Sequence, residues 1–225
     1  MRNESRVGAT CAIGGAALLL IGTYLHPMGA DPNDPAAAFA EYAGDRLWVA
    51  SHLVQLAGVA AMVAALLFLT GQLDARRRSS VVRIATAGAI VSLALAAALQ
   101  AVDGIALKSM VDAWAAAPES EKQGMFQATF AVRQIEIGLA SMLSLSLGLT
   151  MTLYGIALLG NETYPKWFAG LAIAGGVPTM VAGVVMAYTG FSGLAMAINM
   201  PANVLLLLWM LALAGFMWRR GGAVH

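Results

Sequence analysis

Two histidines near the ends of apolar segments are the residues in this chain with the clearest potential for chemistry. His26 closes the first apolar segment, and His52 lies near the beginning of the second. Imidazole nitrogens bind transition metal ions, and two histidines can hold a haem iron from opposite sides. Glu136 or Asp103 could add a carboxylate ligand to a metal site. The alternative is that each histidine is only hydrogen-bonded at the end of its helix.

A second polar group opens the fourth long apolar segment. Arg133 and Glu136 are three residues apart, so they share one face of a helix. Arg133 could bind an anionic ligand while Glu136 fixes its position, or the two could form a structural ion pair alone. Along the same face, Ala140, Ser144 and Gly148 form a ridge of small residues, which would let a neighbouring helix approach closely.

The composition is that of a membrane protein. Of the 225 residues, 60% are hydrophobic and only 11% are charged, about half the charged share of a soluble domain. The net charge is +1, and the sequence has neither a stripe of basic residues nor a nucleic-acid-recognition motif. Both observations argue against nucleic acid as a partner. The single cysteine, Cys11, excludes a disulfide framework and a CxxC redox or metal motif.

The apolar segments predict one all-α domain over residues 1–225 with six transmembrane helices. The predicted spans are residues 7–26, 47–70, 84–103, 130–159, 167–189 and 194–218. Asp34 followed by Pro35 is typical of a helix start, and Gly44 is typical of a helix end. We therefore also expect a short helix in the loop between the first two spans. Trp48 is predicted to anchor the second span at the membrane interface.

The segment between the third and fourth spans predicts a helical extension outside the membrane. The third helix could continue until Pro118 interrupts it, and Ser120 and Gln123 have the spacing of a capping box for the next helix. Helices this long exceed the hydrocarbon thickness of a bilayer, so a hairpin would project from it. The alternative is that Gly104 and Gly124 break these helices into interfacial pieces.

The distribution of basic residues predicts that both termini are cytoplasmic. Six spans place the two termini on one side of the membrane, and the basic residues fall on that side. These are Arg2, Arg6, Arg76, Arg77, Arg78, Arg83, Lys166, Arg219 and Arg220. The acidic loop Asp31–Asp45 and the helical extension would then face away from the cytoplasm.

With this topology, polar side chains from several spans fall in the outer third of the membrane, where leaving them in lipid would be costly. We expect them to line one outward-facing pocket for a small polar or lipid-headgroup ligand. Its predicted members are His26, His52, Gln55, Gln100, Asp103, Arg133, Glu136, Asn199 and Asn203. The inner halves of the spans carry no ionisable residue, which argues against a simple ion channel.

Several short stretches resemble a broad group of small, uncharacterised polytopic membrane proteins of bacteria, particularly actinobacteria. They are Leu25-His-Pro27, Trp48–Gln55, Asp103-Gly-Ile-Ala-Leu-Lys108, Arg133-Gln-Ile-Glu136, Tyr164-Pro-Lys-Trp167 and Trp218-Arg-Arg220. The resemblance implies six spans and a location in the bacterial inner (plasma) membrane. It implies no activity.

Three functions stay open at this point. The first is a ligand-binding or accessory membrane protein, which could belong to a transport system or pair with another membrane subunit. The second is a redox subunit with a haem or metal ion bound through His26 and His52. The third is a membrane-embedded enzyme or proton-coupled carrier that uses Glu136 or Asp103. The sequence contains no GxSxG, HExxH or nucleotide-binding motif in a suitable context, which favours a function other than catalysis.

Overall fold

The computed structural model describes residues 2–74 and 80–222, and these residues form helices joined by short loops. The helices are α1 (Arg2–Leu25), α2 (Pro35–Gly44), α3 (Trp48–Asp74), α4 (Ser80–Gln100), a π-helical segment (Ala101–Leu107), α5 (Lys108–Ala116), α6 (Glu119–Leu159), α7 (Lys166–Thr189) and α8 (Gly193–Gly222). The predicted all-α class is confirmed for this part of the chain.

Six helical stretches within the described residues are long and apolar enough to cross a membrane, which indicates a multi-pass membrane protein. They are Asn3–Leu25, Trp48–Leu73, Ser80–Ala116, Glu119–Leu159, Lys166–Thr189 and Gly193–Arg220. Each corresponds to one predicted span. Of the basic residues used to predict the topology, Arg76, Arg77 and Arg78 lie outside the described residues, as does the tail histidine His225.

The third and fourth spanning helices are much longer than their predicted membrane segments. The third runs without interruption from Ser80 to Ala116, and α6 has 41 residues, a length of about 60 Å. The prediction that Gly104 and Gly124 break these helices is wrong, because both lie inside continuous helical structure. The helices instead continue into a hairpin made of α5 and the first part of α6.

The predicted capping box at the start of α6 is also wrong. The helix begins at Glu119, before Ser120, and its N-cap residue is Pro118, which makes no side-chain capping bond. Pro118 has an extended backbone with φ of −64°. Because the pyrrolidine ring restricts φ to this range, the proline itself sets the corner between α5 and α6.

The short helix α2 begins and ends where the sequence predicts. The Asp34 carboxylate accepts hydrogen bonds from the backbone N–H groups of Ala36 and Ala37 at 3.1 and 3.2 Å. At the other end, Lys108 Nζ donates to the carbonyl oxygens of Tyr42 and Ala43 at 2.9 and 3.0 Å. A cation is favourable at the negative end of a helix, and this one attaches α2 to the base of the hairpin.

Small residues bring the long helices close together, as the ridge on α6 predicts. Gly148 lies against α7 so closely that an added Cβ atom would be 2.6 Å from the carbonyl oxygen of Gly176. Ser141 Oγ donates to the carbonyl oxygen of Gly183 at 2.8 Å, a second direct link between α6 and α7. This close packing is typical of membrane helices, where backbone approach replaces hydrophobic burial as the source of contact energy.

Candidate ligand-binding site

A cavity of about 600 Å³ lies at the end of the bundle where α1 ends and α3 and α8 begin. The loop after α1, together with α2, forms part of its wall. Its lining residues are Thr23, His26, Pro27, Met28, Ala30, Asp31, Pro32, Asn33, Glu41, Tyr42, Trp48, His52, Gln55, Leu99, Gln100, Asp103, Arg133, Glu136, Ala140, Phe191, Gly193 and Met196. This volume is within the usual range for small-molecule sites.

Seven of the nine residues predicted to share a pocket line this cavity. They are His26, His52, Gln55, Gln100, Asp103, Arg133 and Glu136. The structure places the other two, Asn199 and Asn203, outside it: Asn199 is half-buried and Asn203 is exposed. The cavity reaches α8 only at its first residues, and these asparagines lie about 9 and 15 Å further along the helix axis than Gly193.

Aromatic rings form one wall of the cavity around Trp48. The indole lies 4.2 Å from the Tyr42 ring and 4.7 Å from each of the His26 and His52 rings, measured between centroids. Trp48 is only 1% exposed, so the prediction that it anchors the helix at the membrane interface is wrong. Its Nε1–H donates to the carbonyl oxygen of Asp103 at 2.9 Å, and the side chain therefore joins α3 to the π-helical segment.

His52 and Asp103 form a direct pair across two helices. His52 Nε2 lies 3.0 Å from Asp103 Oδ2, and His52 Nδ1 lies 2.7 Å from the carbonyl oxygen of Trp48. The approach depends on Gly104, where an added Cβ atom would be 2.6 Å from the Cβ atom of His52. The Asp103 side chain is 16% exposed and faces a buried histidine.

Arg133 and Glu136 form the predicted ion pair, and both side chains are buried. Arg133 Nη1 donates to Glu136 Oε1 at 2.7 Å and to Oε2 at 2.5 Å. The guanidinium also lies between two rings, 5.6 Å from the centroid of Tyr42 and 5.0 Å from that of Phe191, which are favourable cation–π distances. Arg133 Nη2 donates to the carbonyl oxygen of Pro32 at 3.4 Å. These contacts hold Arg133 firmly against the wall and neutralise its charge.

The lining residues give the cavity a negative formal charge. Four carboxylates, from Asp31, Glu41, Asp103 and Glu136, line the cavity together with the single guanidinium of Arg133, so the formal charge is negative whether or not the two histidines carry a positive charge. A site with this balance attracts a cation or the cationic part of a larger ligand.

Two groups outside the spanning helices show how burial affects protonation near the cavity. Burial, reinforced by the nearby His52, lowers the pKa of His26, which favours the neutral imidazole. Burial raises the pKa of Tyr42 to about 12, with smaller contributions from Glu136 and Asp103 that oppose the effect of Arg133. The Tyr42 phenol therefore keeps its proton at neutral pH.

Two buried acceptor oxygens at the cavity have no hydrogen-bond partner in the described part of the chain. They are Asp103 Oδ1 and Gln100 Oε1. Gln100 uses its other polar atom, since Nε2 donates to Gln55 Oε1 at 3.3 Å. A buried acceptor without a partner costs about 1–3 kcal/mol, so a ligand that supplies donors or a positive charge here would recover free energy.

The cavity includes residues that the sequence did not identify as members of the site. Asp31 and Glu41 belong to the acidic loop and α2, and Tyr42 and Phe191 hold Arg133. The helix start at Asp34 was a usable signal, because a helix in the loop after α1 brings its side chains back over the end of the bundle. Nothing in the sequence pattern around Phe191 indicated a role for this residue.

A haem between the two histidines does not fit this arrangement. Axial ligands lie on opposite sides of a flat porphyrin, whereas the His26 and His52 rings are 5.0 Å apart between centroids. The Asp103 carboxylate also lies only 3.0 Å from His52 Nε2, where it would collide with a porphyrin ring around an iron bound to that nitrogen. The three side chains are compatible instead with a single ion, because one ligand atom from each lies within 4.8 Å of the others.

Comparison of the chain with protein-family models, curated proteins and solved structures gives no match. The geometry of the cavity is therefore the basis for proposing a function.

Proposed function

We propose that this chain is an integral membrane protein that binds a small polar ligand or lipid headgroup in the cavity at the His26 end of the bundle. The observation that supports this most directly is the convergence of ten acidic, basic or amide side chains, seven of them predicted from the sequence, on one cavity. Ionisable groups within spanning helices are expensive, and a purely structural role would require only mutual pairing. The cavity leaves space of ligand size beside them.

The charge balance defines the preferred ligand more narrowly than the sequence did. The sequence allowed Arg133 to bind an anionic group, but Glu136 occupies its Nη1 donor with both carboxylate oxygens. The unpartnered groups at the cavity are acceptors. We therefore expect a ligand with a cationic or donor-rich group, such as an ammonium headgroup, and the aromatic wall formed by Tyr42 and Trp48 supports the same class.

The cellular setting belongs to the same proposal. The basic residues of the loop after α3 and of the C-terminal segment favour cytoplasmic termini in a bacterial inner membrane. The cavity and the α5–α6 hairpin would then face away from the cytoplasm, where an extracytoplasmic ligand or a partner membrane subunit has access. A green fluorescent protein fused to the C-terminus should be fluorescent and an alkaline phosphatase fused there inactive. The reverse pattern would contradict this orientation.

The ligand proposal is tested by obstructing the cavity at Gly193. This residue lines the cavity, and an added Cβ atom there would have no neighbour within 4 Å, so Gly193→Trp can be accommodated and would place an indole at the site. Gly170→Trp is the matched control, because Gly170 is also exposed and open but lies in α7 outside the cavity. The probes are phosphoethanolamine, which carries an ammonium group, and glycerol 3-phosphate, which does not.

Native mass spectrometry of the detergent-purified protein would measure the binding of both probes. We expect the wild type and Gly170→Trp to bind phosphoethanolamine in preference to glycerol 3-phosphate, and Gly193→Trp to bind neither. Equal adducts in all three proteins would contradict the proposal. A preference for glycerol 3-phosphate would contradict the assignment of the ligand class.

A further inference from the structure

Three potential metal ligands converge on one point of the cavity wall. His26, His52 and Asp103 each present one ligand atom, and these atoms lie within 4.8 Å of one another. They come from three separate parts of the chain, namely the residue after α1, the first turns of α3 and the π-helical segment. Their meeting is therefore a property of the fold and not of one local motif.

Main-chain carbonyl oxygens engage the same nitrogen, Nδ1, on each histidine ring. On His52, Nε2 contacts Asp103 Oδ2 at 3.0 Å, and an ion bound between these two atoms would replace that contact. His26 Nδ1 lies 2.7 Å from the carbonyl oxygen of Pro27, and His52 Nδ1 lies 2.7 Å from the carbonyl oxygen of Trp48. A carbonyl oxygen can only accept, so each Nδ1 must carry the proton and donate it. In a neutral ring the lone pair is then on Nε2. Metal-binding histidines are oriented in this way, by donation from the second ring nitrogen.

The Asp103 carboxylate supplies the negative charge that such a site needs. Its Oδ2 atom faces His52 Nε2 at 3.0 Å, while its Oδ1 atom is buried without a hydrogen-bond partner. The position of the residue is fixed from two sides, by Trp48 Nε1 on its carbonyl oxygen and by the close packing of Gly104 on His52. The carboxylate is thus held beside the imidazole rings, and its Oδ1 atom is available to bind an ion.

We propose that His26, His52 and Asp103 bind one first-row divalent transition metal ion. Two imidazoles and one carboxylate are the ligand set of several catalytic zinc and non-haem iron sites, which keep one or more positions open. All three residues line the cavity, so the ion would lie at the cavity wall. The inference rests on the proposed function, because the ion would contribute part of the positive charge that the cavity favours.

The rival arrangement uses the same atoms without an ion. His52 and Asp103 would form a simple charged pair, and His26 would only pack against the Trp48 ring. The two arrangements differ in their dependence on His26, which does not hydrogen-bond to Asp103 in the described structure but is a full ligand in a metal site. A variant at His26 therefore separates them.

Cobalt(II) is the probe, because its visible absorption reports nitrogen and oxygen ligands directly. Full-length protein is purified in detergent, stripped with a chelator and titrated with Co²⁺, with the bound metal counted by mass spectrometry after gel filtration. We expect one Co²⁺ per chain with a visible ligand-field band. His26→Gln and Asp103→Asn should each weaken binding by at least about 100-fold, since even loss of an outer-shell partner costs 10–100-fold.

Asp112→Asn is the matched control. Asp112 lies in α5, directly after the π-helical segment that contains Asp103, but its carboxylate binds Lys108 outside the cavity. This variant should therefore bind Co²⁺ as the wild type does. Thermal melting without metal checks that each variant folds, and the half-buried His26 is the position where substitution disturbs the core least. Failure of the wild type to bind Co²⁺, or wild-type binding by His26→Gln, would overturn the inference. The phosphoethanolamine experiment contains no metal, so its result judges the proposed function separately.

Discussion

Each end of the helix bundle carries a cluster of polar residues, and the two clusters differ in their charge and in which of their buried atoms have no partner. At the end away from the cavity, Gln72 Oε1 accepts from Tyr164 Oη at 2.8 Å and from Arg220 Nη1 at 3.1 Å, and Gln72 Nε2 donates to Ser5 Oγ at 3.3 Å. Arg220 also lies 4.4 Å above the Tyr164 ring. This cluster joins α1, α3, α8 and the loop before α7.

The cluster at the cavity end carries more charge, and its residues line an open space. Its two ion pairs line a space of about 600 Å³, and the buried atoms left without partners there are the acceptors Gln100 Oε1 and Asp103 Oδ1. At the opposite end the corresponding atom is a donor, Arg220 Nη2. A cluster of polar residues therefore does not by itself indicate a binding site. At the cavity end, the residues with unpartnered acceptors also line a space of ligand size.

The largest effect is expected from removing one member of the buried ion pair at the cavity end. Glu136→Ala would leave the Arg133 guanidinium buried without a counter-charge, and loss of one partner of such a pair costs about 3–5 kcal/mol. We expect a large fall in the melting temperature of the detergent-solubilised protein. The double variant Glu136→Leu with Arg133→Met removes both charges and should recover most of the loss. A double variant no more stable than Glu136→Ala would show that the pair is not the cause.

An intermediate effect is expected at the interface of α6 and α7, which supports both ends. Gly148→Ala would force a methyl group against the Gly176 carbonyl oxygen, and overpacking of this kind costs about 1–3 kcal/mol. Gly138→Ala is the control on the same helix, because its Cβ position is open, and it should be neutral or stabilise by less than about 1 kcal/mol. Equal melting temperatures for the two variants would refute the close approach of these helices.

The smallest effect is expected from substituting two glutamines. The side-chain oxygen of Gln72 accepts two hydrogen bonds, whereas that of Gln100 accepts none within the described residues. Gln72→Leu removes several hydrogen bonds and should cost about 1 kcal/mol. Gln100→Leu removes one long bond together with an acceptor that has no partner, so we expect it to leave stability nearly unchanged. Thermal melting compares the two, and probe binding should be altered only by the change at Gln100. An equal loss of stability would remove the contrast between the two ends.

The sequence predicted the helices and most of the cavity for a physical reason. Ionisable residues inside apolar segments are costly unless they meet, and this constraint was enough to group His26, His52, Asp103, Arg133 and Glu136 before their contacts were known. The same constraint led to the wrong prediction that Asn199 and Asn203 of α8 line the cavity. Neutral amides carry a weaker penalty, so their position in a helix says little about whether they join a cluster.

Features that depend on tertiary contacts were not predictable. Trp48 was expected at the membrane interface because tryptophan is common there, yet it is buried by rings from α2, His26 and His52. The sequence also did not show that Lys108 binds the end of α2 while Asp103 faces His52. The spacing of residues along one helix could not show which neighbour each side chain meets.

The π-helical segment at Ala101–Leu107 explains how one continuous helix can serve both of these contacts. A regular α-helix turns by about 100° per residue, so it fixes the direction of every side chain beyond α4 once α4 is packed. The wider i→i+5 turns of the π-helical segment rotate less per residue. They therefore change the direction in which the side chains after α4 point. The membrane portion keeps the orientation that packs against α6, while the extension is turned so that Asp103 points at α3 and Lys108 at α2.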